Sequence, residues 1–351
     1  MNTRLDDHVI LRQYHLQPSH IVNDGKVKKI YTNEGIFVLK EIKSQKSLQA
    51  VEQAYRFYGP HIVPIYAARN GAPFVAEAGR YYYLMPWISG EEKREENRFL
   101  SFFRDLAWLH RQTLQEVPIN QEEVKKYYEA QKQEWEKQRS FLQAYAEQCE
   151  KEWYMSPFQL HFCTYFRETM QAYWFAETQL ETWYERIKEQ KKWRISFIHG
   201  KPALSHYIPN HHQEKRYFLS WERARWASPL ADVWLSLQDY VRIAPPMDES
   251  WIQGFSEYEG QLMIQEEERA FFMSHAAPPS HFYRLISRYG EQKQKKSEYD
   301  SVVQLHREYW RMKQIEYIMM RLVQINEKKG EEQTLNPLEP ESDRQQDEDR
   351  Q

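Results

Sequence analysis

The stretch Ile198-His199-Gly200-Lys201-Pro202-Ala203-Leu204-Ser205-His206-Tyr207-Ile208 decides the fold assignment of this chain. It places a His-Gly pair after an apolar residue and a second histidine further along. A related stretch follows, Phe218-Leu219-Ser220-Trp221-Glu222, in which an apolar pair precedes a serine and a glutamate. A lone His-Gly dipeptide also occurs by chance, so any specificity must come from the order of the elements around these two stretches.

Two β-rich runs, residues 27–31 and 36–42, precede them near the N-terminus. The Asn33-Glu34-Gly35 segment between these runs predicts a hairpin, because Asn and Gly tolerate the positive φ that a tight turn needs. Lys40 follows an apolar run within the second strand. Taken alone, Lys40 is more typical of a solvated lysine on a strand than of a functional one.

Residues 47–58 have apolar side chains at helical spacing, which predicts a helix. Glu52 lies at the flank of that apolar stripe. A carboxylate beside an apolar face usually requires a partner. In kinase-like folds a strand lysine pairs with a helix glutamate, and a resemblance to such a fold would make Lys40 and Glu52 the candidates for that pair. The alternative is that Glu52 reaches solvent from the edge of the helix.

The segment Tyr81-Tyr82-Tyr83-Leu84-Met85-Pro86-Trp87-Ile88-Ser89-Gly90 predicts an apolar strand that stops at its proline and glycine. In a bilobal kinase-like fold, a segment of this kind crosses from the small lobe into the large one, and its backbone faces the adenine base. The alternative is an edge strand that ends in a turn. Only Gly25 lies where a phosphate-binding loop would be expected. A single glycine cannot bring several backbone N–H groups near phosphates, which argues against tight nucleotide binding.

The remainder of the chain is predicted to be helical. One helical stripe ends at His110, and residues 121–193 predict two or more long helices with a break near Pro157. A long amphipathic stripe occupies residues 302–323. From Glu327 the apolar pattern ends, and the acidic, Gln-rich residues 327–351 predict a disordered tail.

Composition limits the function classes. The net charge of −3 gives no general attraction to nucleic acid or to an anionic membrane, so neither is expected as a partner. Cys149 and Cys163 form neither a C-x-x-C pattern nor a disulfide framework, which favours a reducing compartment. No apolar run approaches the roughly 20 residues of a membrane span. We therefore expect a protein without a transmembrane helix.

The ordered set of motifs resembles phosphotransferases of the aminoglycoside and choline kinase type. These enzymes carry His-Gly-Asp, an Asn five residues after the Asp, and later a metal-binding Asp after an apolar pair. In this sequence Lys201, His206 and Ser220 stand at those three positions. Glu222 matches the acid that often follows the metal-binding Asp.

The resemblance implies an α+β, bilobal, protein-kinase-like fold with a small β-rich N-lobe and a large helical C-lobe. It implies an N-lobe over residues 1–88 with an antiparallel sheet and one helix, a C-lobe over 89–326, and the tail over 327–351. It also implies that a nucleotide cleft, here a vestigial one, is formed by Lys40, Glu52, Met85 and Trp87.

The substitutions remove groups that phosphoryl transfer requires, namely a carboxylate base and oxygen ligands for Mg²⁺. A lysine, with a reference pKa of about 10.4, is not a base at neutral pH unless its pKa falls by roughly three units. Imidazole is a poor ligand for Mg²⁺, and a serine is weaker than an aspartate. We therefore expect Lys201, His206 and Ser220 to be degenerate, Glu222 to be only a weak metal candidate, and no cofactor to be needed.

A narrower resemblance is to the CotS/YutH-type spore-coat-associated proteins of endospore-forming bacteria. It is carried by the chain length, Leu39-Lys40 after the hairpin, the aromatic-rich helices, and the segment Phe282-Tyr283-Arg284-Leu285-Ile286-Ser287-Arg288-Tyr289. It implies synthesis in the mother-cell cytoplasm, a place in the spore coat, and other coat or assembly proteins as partners.

Three functional hypotheses follow. The first is a catalytically impaired kinase-like scaffold. The second is an active kinase that uses ATP and Mg²⁺ in a rearranged site, with Glu222 on the metal and Glu214 or another carboxylate as base. The third is a plain helical interaction protein, which predicts no five-stranded sheet before residue 90.

Overall fold

The structure is a computed structural model, and it describes residues 7–24, 27–88, 98–209, 216–245, 247–292 and 296–335. Gly25, Ser89, Gly90, Glu214 and the segment beyond Leu335, all named above, lie outside the described residues. The N-terminal lobe contains two helices and five strands, which are α1 (Asp7–Arg12), β1 (His20–Asp24), β2 (Val27–Thr32), β3 (Gly35–Ile42), α2 (Gln45–Tyr58), β4 (Val75–Glu77) and β5 (Arg80–Pro86).

The five strands form one antiparallel sheet in the order β1-β2-β3-β5-β4. A five-stranded sheet before residue 90 excludes the plain helical protein. The prediction of a single N-lobe helix was wrong, because α1 adds a second one. This helix has only six residues, too short for a periodic signal, and its Ile10 and Leu11 are buried against the sheet.

The pairing of β3 with β5 decides which side chains face the C-terminal lobe. Val38 lies opposite Met85, and Lys40 lies opposite Tyr83. Residues directly opposite each other in an antiparallel pair share one face of the sheet. The apolar members of these pairs belong to a core shared with the C-terminal lobe, whereas Leu39 on the other face packs with the α1 residues.

The C-terminal lobe is mainly helical and carries two small sheets, β10-β7-β6 and β8-β9. Its elements are α3 (Arg98–Gln112), β6 (Gln115–Pro118), α4 (Gln121–Glu150), α5 (Pro157–Ile187), β7 (Lys192–Ile198), β8 (Tyr207–Pro209), β9 (Arg216–Phe218), β10 (Arg225–Ala227), α6 (Leu230–Tyr240), α7 (Ser250–Gln261), α8 (Glu266–Ala276), α9 (Ser280–Gln292) and α10 (Glu298–Leu335).

Helices α4 and α5 are long helices of the kind that the aromatic pattern predicts, and they pack against each other as a hairpin. Asn120 caps the start of α4, and its side chain accepts hydrogen bonds from two backbone N–H groups of the first turn. Ser156 and Gln159 form a capping box at the start of α5, with Pro157 in its first turn. The break near Pro157 is therefore a helix start that local chemistry encodes.

Helix α3 packs closely on α7 because Gly254 leaves room for Phe103. A Cβ at Gly254 would lie 2.3 Å from the Phe103 ring. This contact joins the helix that precedes the functional stretch to the centre of the C-terminal lobe, where Trp251 and Tyr258 are fully buried.

Helix α10 runs to Leu335, so the prediction of disorder from Glu327 onward was wrong for the segment up to that residue. Charged residues of high helix propensity continue the helix after its apolar stripe has ended. No helix in the part of the chain that the structure describes is long and apolar enough to span a membrane.

Candidate functional site

The loop after β7 begins with a glycine that no other residue could replace without strain. Gly200 has a φ of +75°, and a Cβ on it would lie 2.2 Å from the carbonyl oxygen of Arg223. Positive φ is costly for residues with a Cβ. The glycine of the His-Gly pair is therefore required by backbone geometry and close packing, independently of any chemistry in the cleft.

Asp232, on α6, anchors this loop through hydrogen bonds to its backbone. Its carboxylate, fully buried in α6, accepts hydrogen bonds from the backbone N–H of His199 at 2.7 Å and of Gly200 at 2.8 Å. The same carboxylate lies 3.2 Å from His110 Nε2, and His110 Nδ1 lies 2.7 Å from the Tyr258 hydroxyl. These hydrogen bonds hold the loop against α6, and His110 is a buried structural residue.

His199 is held as a neutral imidazole in a defined tautomer. The backbone N–H of Lys201 donates to Nδ1 at 3.1 Å, so Nε2 carries the proton and donates to the Leu219 carbonyl at 2.7 Å. Burial lowers the pKa of His199, which favours the neutral form. This ring joins the two stretches that the sequence singled out.

The His206 ring contacts the backbone of Lys201 within the loop. The Lys201 side chain is exposed, and His206 Nδ1 lies 3.3 Å from the Lys201 carbonyl oxygen. Burial and the nearby Lys201 ammonium lower the pKa of His206 to about 4. At neutral pH this part of the site therefore contains a lysine and an uncharged imidazole, where phosphotransferases of the resembled type carry an aspartate and an asparagine.

Lys40 reaches across from the N-terminal sheet to the second stretch. Its Nζ lies 2.6 Å from Glu222 Oε1 and donates a hydrogen bond to Ser220 Oγ at 2.8 Å. The Tyr83 hydroxyl donates to the same Oε1 at 2.7 Å. Burial disfavours the Glu222 carboxylate, but the Lys40 ammonium and these hydrogen bonds outweigh it and lower its pKa.

Ser220 presents this site through an unusual backbone conformation. Its φ of 72° and ψ of 57° place it in the left-handed region, just before a 3₁₀ turn over Trp221–Arg223. Asp and Asn tolerate this region better than most residues with a Cβ. The aspartate that stands here in phosphotransferases of the resembled type would therefore fit the backbone that Ser220 adopts.

The prediction that Lys40 pairs with Glu52 was wrong. Glu52 is exposed on α2 and takes part in none of the ion pairs among the described residues. Lys40 instead forms its ion pair with Glu222 of the C-terminal lobe, because Lys40 and Tyr83 lie on the face of the sheet that borders the cleft. Glu52 reaches solvent from the edge of its helix, which was the alternative considered above.

Met85 lies near the end of β5 in the core shared with the C-terminal lobe, and Trp87 follows the strand and packs against the same core. The backbone N–H of Trp87 donates a hydrogen bond to the Ile36 carbonyl oxygen at 2.9 Å and is therefore not available to a ligand. Lys29 Nζ lies 3.8 Å from the centroid of a Trp87 ring. A base could stack on this face of the ring only if Lys29 moved.

Sequence reasoning did not assign a role to Tyr83 or to Lys29. The register of β3 and β5 places Tyr83 opposite Lys40. Lys29 lies on β2 opposite Val38, which puts it on the cleft face. Strand alternation counted from Lys40 could have found both side chains.

Among the described residues, the cleft offers few ligands that suit a magnesium ion. Mg²⁺ needs near-octahedral coordination by oxygen, commonly from carboxylates. The one carboxylate contributed by the second stretch, that of Glu222, already accepts from Lys40 and Tyr83 through Oε1. Within the ranges that the structure describes, no group of three or more His, Cys, Asp or Glu side chains is arranged to hold a metal ion.

Comparison with solved structures identifies the fold. An aminoglycoside phosphotransferase from Alicyclobacillus acidocaldarius superposes with a TM-score of 0.66 at 12% identity, covering 92% of this chain and 98% of that one. An AMP-bound spectinomycin phosphotransferase gives a TM-score of 0.55 at 12% identity, over 89% of this chain and 96% of that one. No protein-family model matches the sequence, and no curated protein sequence matches it either.

The chain therefore has the aminoglycoside-phosphotransferase-like fold, with a β-sheet N-terminal region and a large helical part. The α+β, kinase-like fold expected from the sequence is confirmed. At 12% identity the likeness concerns the fold alone.

Proposed function

We propose that this protein is a pseudokinase, a kinase-like chain that does not transfer phosphate and acts by binding other proteins during assembly. The observation that carries the proposal is the contact of Lys40 with Glu222 and Ser220. An ammonium group neutralises the carboxylate at the position where a kinase of this fold would use a metal ion. Because Lys40 already places a positive charge beside the Glu222 carboxylate, no divalent cation is required to neutralise it.

Electrostatics supports this assignment. The effective dielectric constant of a partly buried site is well below that of water. A second cation brought close to the Lys40 ammonium is therefore strongly repelled. Mg²⁺ could bind Glu222 only after displacing Lys40. Lys201 adds a second positive group at the position of the catalytic base, and it cannot accept the proton of an attacking hydroxyl at neutral pH.

Spore-coat association is part of the proposal and rests on the sequence resemblance. The partners would then be other coat or assembly proteins, and the protein would be made in the mother-cell cytoplasm. A fluorescent fusion imaged during sporulation tests this part. Recruitment to the spore surface is expected, and a signal that stays uniformly spread through the cell would refute the coat role while leaving the pseudokinase assignment intact.

The biochemical test is thermal unfolding with ATP, with and without Mg²⁺. The wild-type protein is expected to show no Mg²⁺-dependent increase in Tm. The matched comparison is the triple variant Lys201→Asp, His206→Asn, Ser220→Asp, which restores the acids and the amide at the three positions. It is expected to gain Mg²⁺-dependent stabilisation, since ligand binding to the native state raises Tm.

An active kinase makes the opposite prediction. Wild-type protein would then be stabilised by Mg²⁺ and ATP together, and it would hydrolyse or transfer the γ-phosphate in a manner abolished by Lys40→Ala. Either result would overturn the pseudokinase assignment.

A further inference from the structure

Two histidine side chains lie next to each other where helix α10 packs on helix α5. His161 is in the second turn of α5, and His306 is in the third turn of α10. Their ring centroids are 4.5 Å apart, with an angle of 65° between the ring planes. Both side chains are half-buried, so solvent and small ions can reach them. We call these two residues the histidine pair.

The separation of the two rings is the one expected for two imidazoles bound to the same metal ion. A metal–nitrogen bond of about 2.0–2.1 Å places the centroid of an imidazole ring about 3.2 Å from the ion. Two such rings at neighbouring positions with a right angle between them have centroids about 4.5 Å apart, and at a tetrahedral angle about 5.2 Å apart. The observed separation of 4.5 Å therefore matches two neighbouring positions around one ion.

Tyr165 orients one of the two rings, because its hydroxyl lies 2.8 Å from His306 Nδ1. When Nδ1 carries the proton and donates to this hydroxyl, Nε2 presents its lone pair, which is how metal-binding histidines are commonly held. The His161 ring makes no hydrogen bond within the part of the chain that the structure describes, so it can turn toward an ion without breaking one. Burial and the neighbouring His161 lower the pKa of His306, which favours the neutral form that binds a metal ion.

Neighbouring contacts hold the two helices in register around the histidine pair. The rings of Tyr165 and Tyr309 stack with their centroids 3.7 Å apart. The Tyr309 hydroxyl donates to Glu168 Oε2 at 2.9 Å, and Lys313 Nζ lies 3.0 Å from the same oxygen. A rigid frame of this kind reduces the reorganisation that metal binding requires. Because Glu168 is already engaged, the two imidazoles are the protein ligands of the site, and water would occupy the remaining positions.

We propose that the histidine pair binds a divalent transition-metal ion, and that this ion joins α10 to the α4–α5 hairpin. Imidazole suits Cu²⁺, Ni²⁺ and Zn²⁺, whereas Mg²⁺ and Ca²⁺ require oxygen ligands. With two protein ligands the site is more open than a structural zinc site, which has four. The bound ion should therefore exchange with solution, and its affinity should follow the usual order for these metals, with Cu²⁺ bound most tightly.

A second pair of histidines, His199 and His206, does not offer the same site. Their ring centroids are 6.3 Å apart. Both nitrogens of His199 are engaged, one by the Lys201 N–H and the other by the Leu219 carbonyl. Burial and then the ammonium groups of Lys201 and Lys40 lower the pKa of His206, and these positive charges would also repel a metal ion. The cleft and the histidine pair are therefore chemically distinct.

The test is calorimetric titration of the full chain, without an affinity tag, with Cu²⁺, Ni²⁺ or Mg²⁺. Wild-type protein is expected to bind Cu²⁺ and Ni²⁺ but not Mg²⁺ at this site. His161→Ala and His306→Ala each remove one ligand and should weaken binding by more than about tenfold, and Tyr165→Phe, which removes only the orienting hydroxyl, by about tenfold. The matched control is His211→Ala with His212→Ala, a pair that lies outside the described residues. It should bind as wild type does, and all variants should keep the wild-type Tm in the absence of metal.

Electron paramagnetic resonance of the bound Cu²⁺ counts the nitrogen ligands directly. Wild-type protein should show two imidazole nitrogens on the copper, and each single-histidine variant should show one. The proposal is overturned if wild-type protein binds neither Cu²⁺ nor Ni²⁺, if removing either histidine leaves the affinity unchanged, or if the bound copper shows fewer than two imidazole nitrogens. The proposal goes beyond the cleft, so Lys201→Met should leave copper binding unchanged whether or not the pseudokinase assignment holds.

Discussion

Lys40 Nζ lies 2.6 Å from Glu222 Oε1, and this ion pair connects the N-terminal sheet to the helical lobe. Both side chains are largely shielded from solvent, with 10% and 20% of their surface exposed. A partly buried pair contributes through its charges and also through the hydrogen bonds that satisfy them. The contact therefore stabilises a closed arrangement of the lobes in addition to neutralising the cleft.

Breaking this pair from one side should destabilise the protein. Lys40→Met removes the ammonium and leaves the Glu222 carboxylate partly buried with the Tyr83 hydroxyl as its remaining partner among the contacts described above. We expect the free energy of unfolding to fall by about 2–3 kcal/mol, somewhat less than for a fully buried pair. Urea unfolding followed by tryptophan fluorescence measures this change.

The double variant Lys40→Met, Glu222→Gln should recover part of the loss, because no charge is then left unpaired. Arg80→Met is the comparison for an exposed pair, since Arg80 contacts Glu41 at the edge of the sheet with half of its side chain in solvent. It should cost less than about 1 kcal/mol. Equal losses for Lys40→Met and Arg80→Met would contradict the role given to the cleft pair.

His206 should make stability depend on pH between its two pKa values. Burial lowers its pKa from 6.5 to about 4 in the native state. Between these values the unfolded chain binds a proton that the native chain does not, so the free energy of unfolding falls as pH decreases from about 6.5 toward 4. The full contribution is present above pH 6.5 and is lost on acidification.

His206→Asn removes the titrating imidazole, so the free energy of unfolding should vary less with pH between about 6.5 and 4. We expect the stability of the variant relative to wild type to improve by about 1–2 kcal/mol between pH 7.5 and pH 4.5, a value reduced for partial solvent exposure. Denaturant unfolding at a series of pH values gives the comparison. Parallel profiles for both proteins would mean that His206 titrates normally in the folded chain.

Gly200→Ala tests the backbone requirement of the loop. The added Cβ would meet the Arg223 carbonyl at 2.2 Å in a conformation with φ of +75°. We expect a loss of about 3 kcal/mol, from the strained φ and the clash together. Gly260→Ala is the control, because this helical glycine has no atom within 4 Å of its Cβ position, and it should raise stability by up to about 1 kcal/mol.

Asp232→Asn tests the anchor beneath the same loop. An amide nitrogen in place of one carboxylate oxygen would face the N–H of His199 or of Gly200, leaving a buried donor unsatisfied. We expect a loss of about 3 kcal/mol and faster amide hydrogen exchange in residues 199–206. Asp239→Asn on the same helix should change neither quantity, and loop exchange that stays unaltered in Asp232→Asn would remove Asp232 from its anchoring role.

The local chemistry of the sequence determined much of the fold. Asn33-Glu34-Gly35 specified the hairpin, and Ser156 with Pro157 specified the start of α5, because turn and cap residues act through their own backbone. The order of Lys40, the crossing strand, the helix that ends at His110 and the His-Gly stretch was sufficient to anticipate the two-lobed architecture. Because the sequence is only 12% identical to that of the superposed structure, the order of the motifs was the main evidence for this fold in the sequence.

Only the tertiary structure decided which carboxylate pairs with Lys40. Glu52 is near in sequence and on a helix flank, but the pairing depends on how the lobes close and on which face of β3 carries the lysine. Strand register placed Tyr83 opposite Lys40, and the left-handed backbone at Ser220 brought Glu222 within 2.6 Å of the ammonium. Distances between segments far apart in the chain are set by packing of the whole core, and local residue patterns do not contain them.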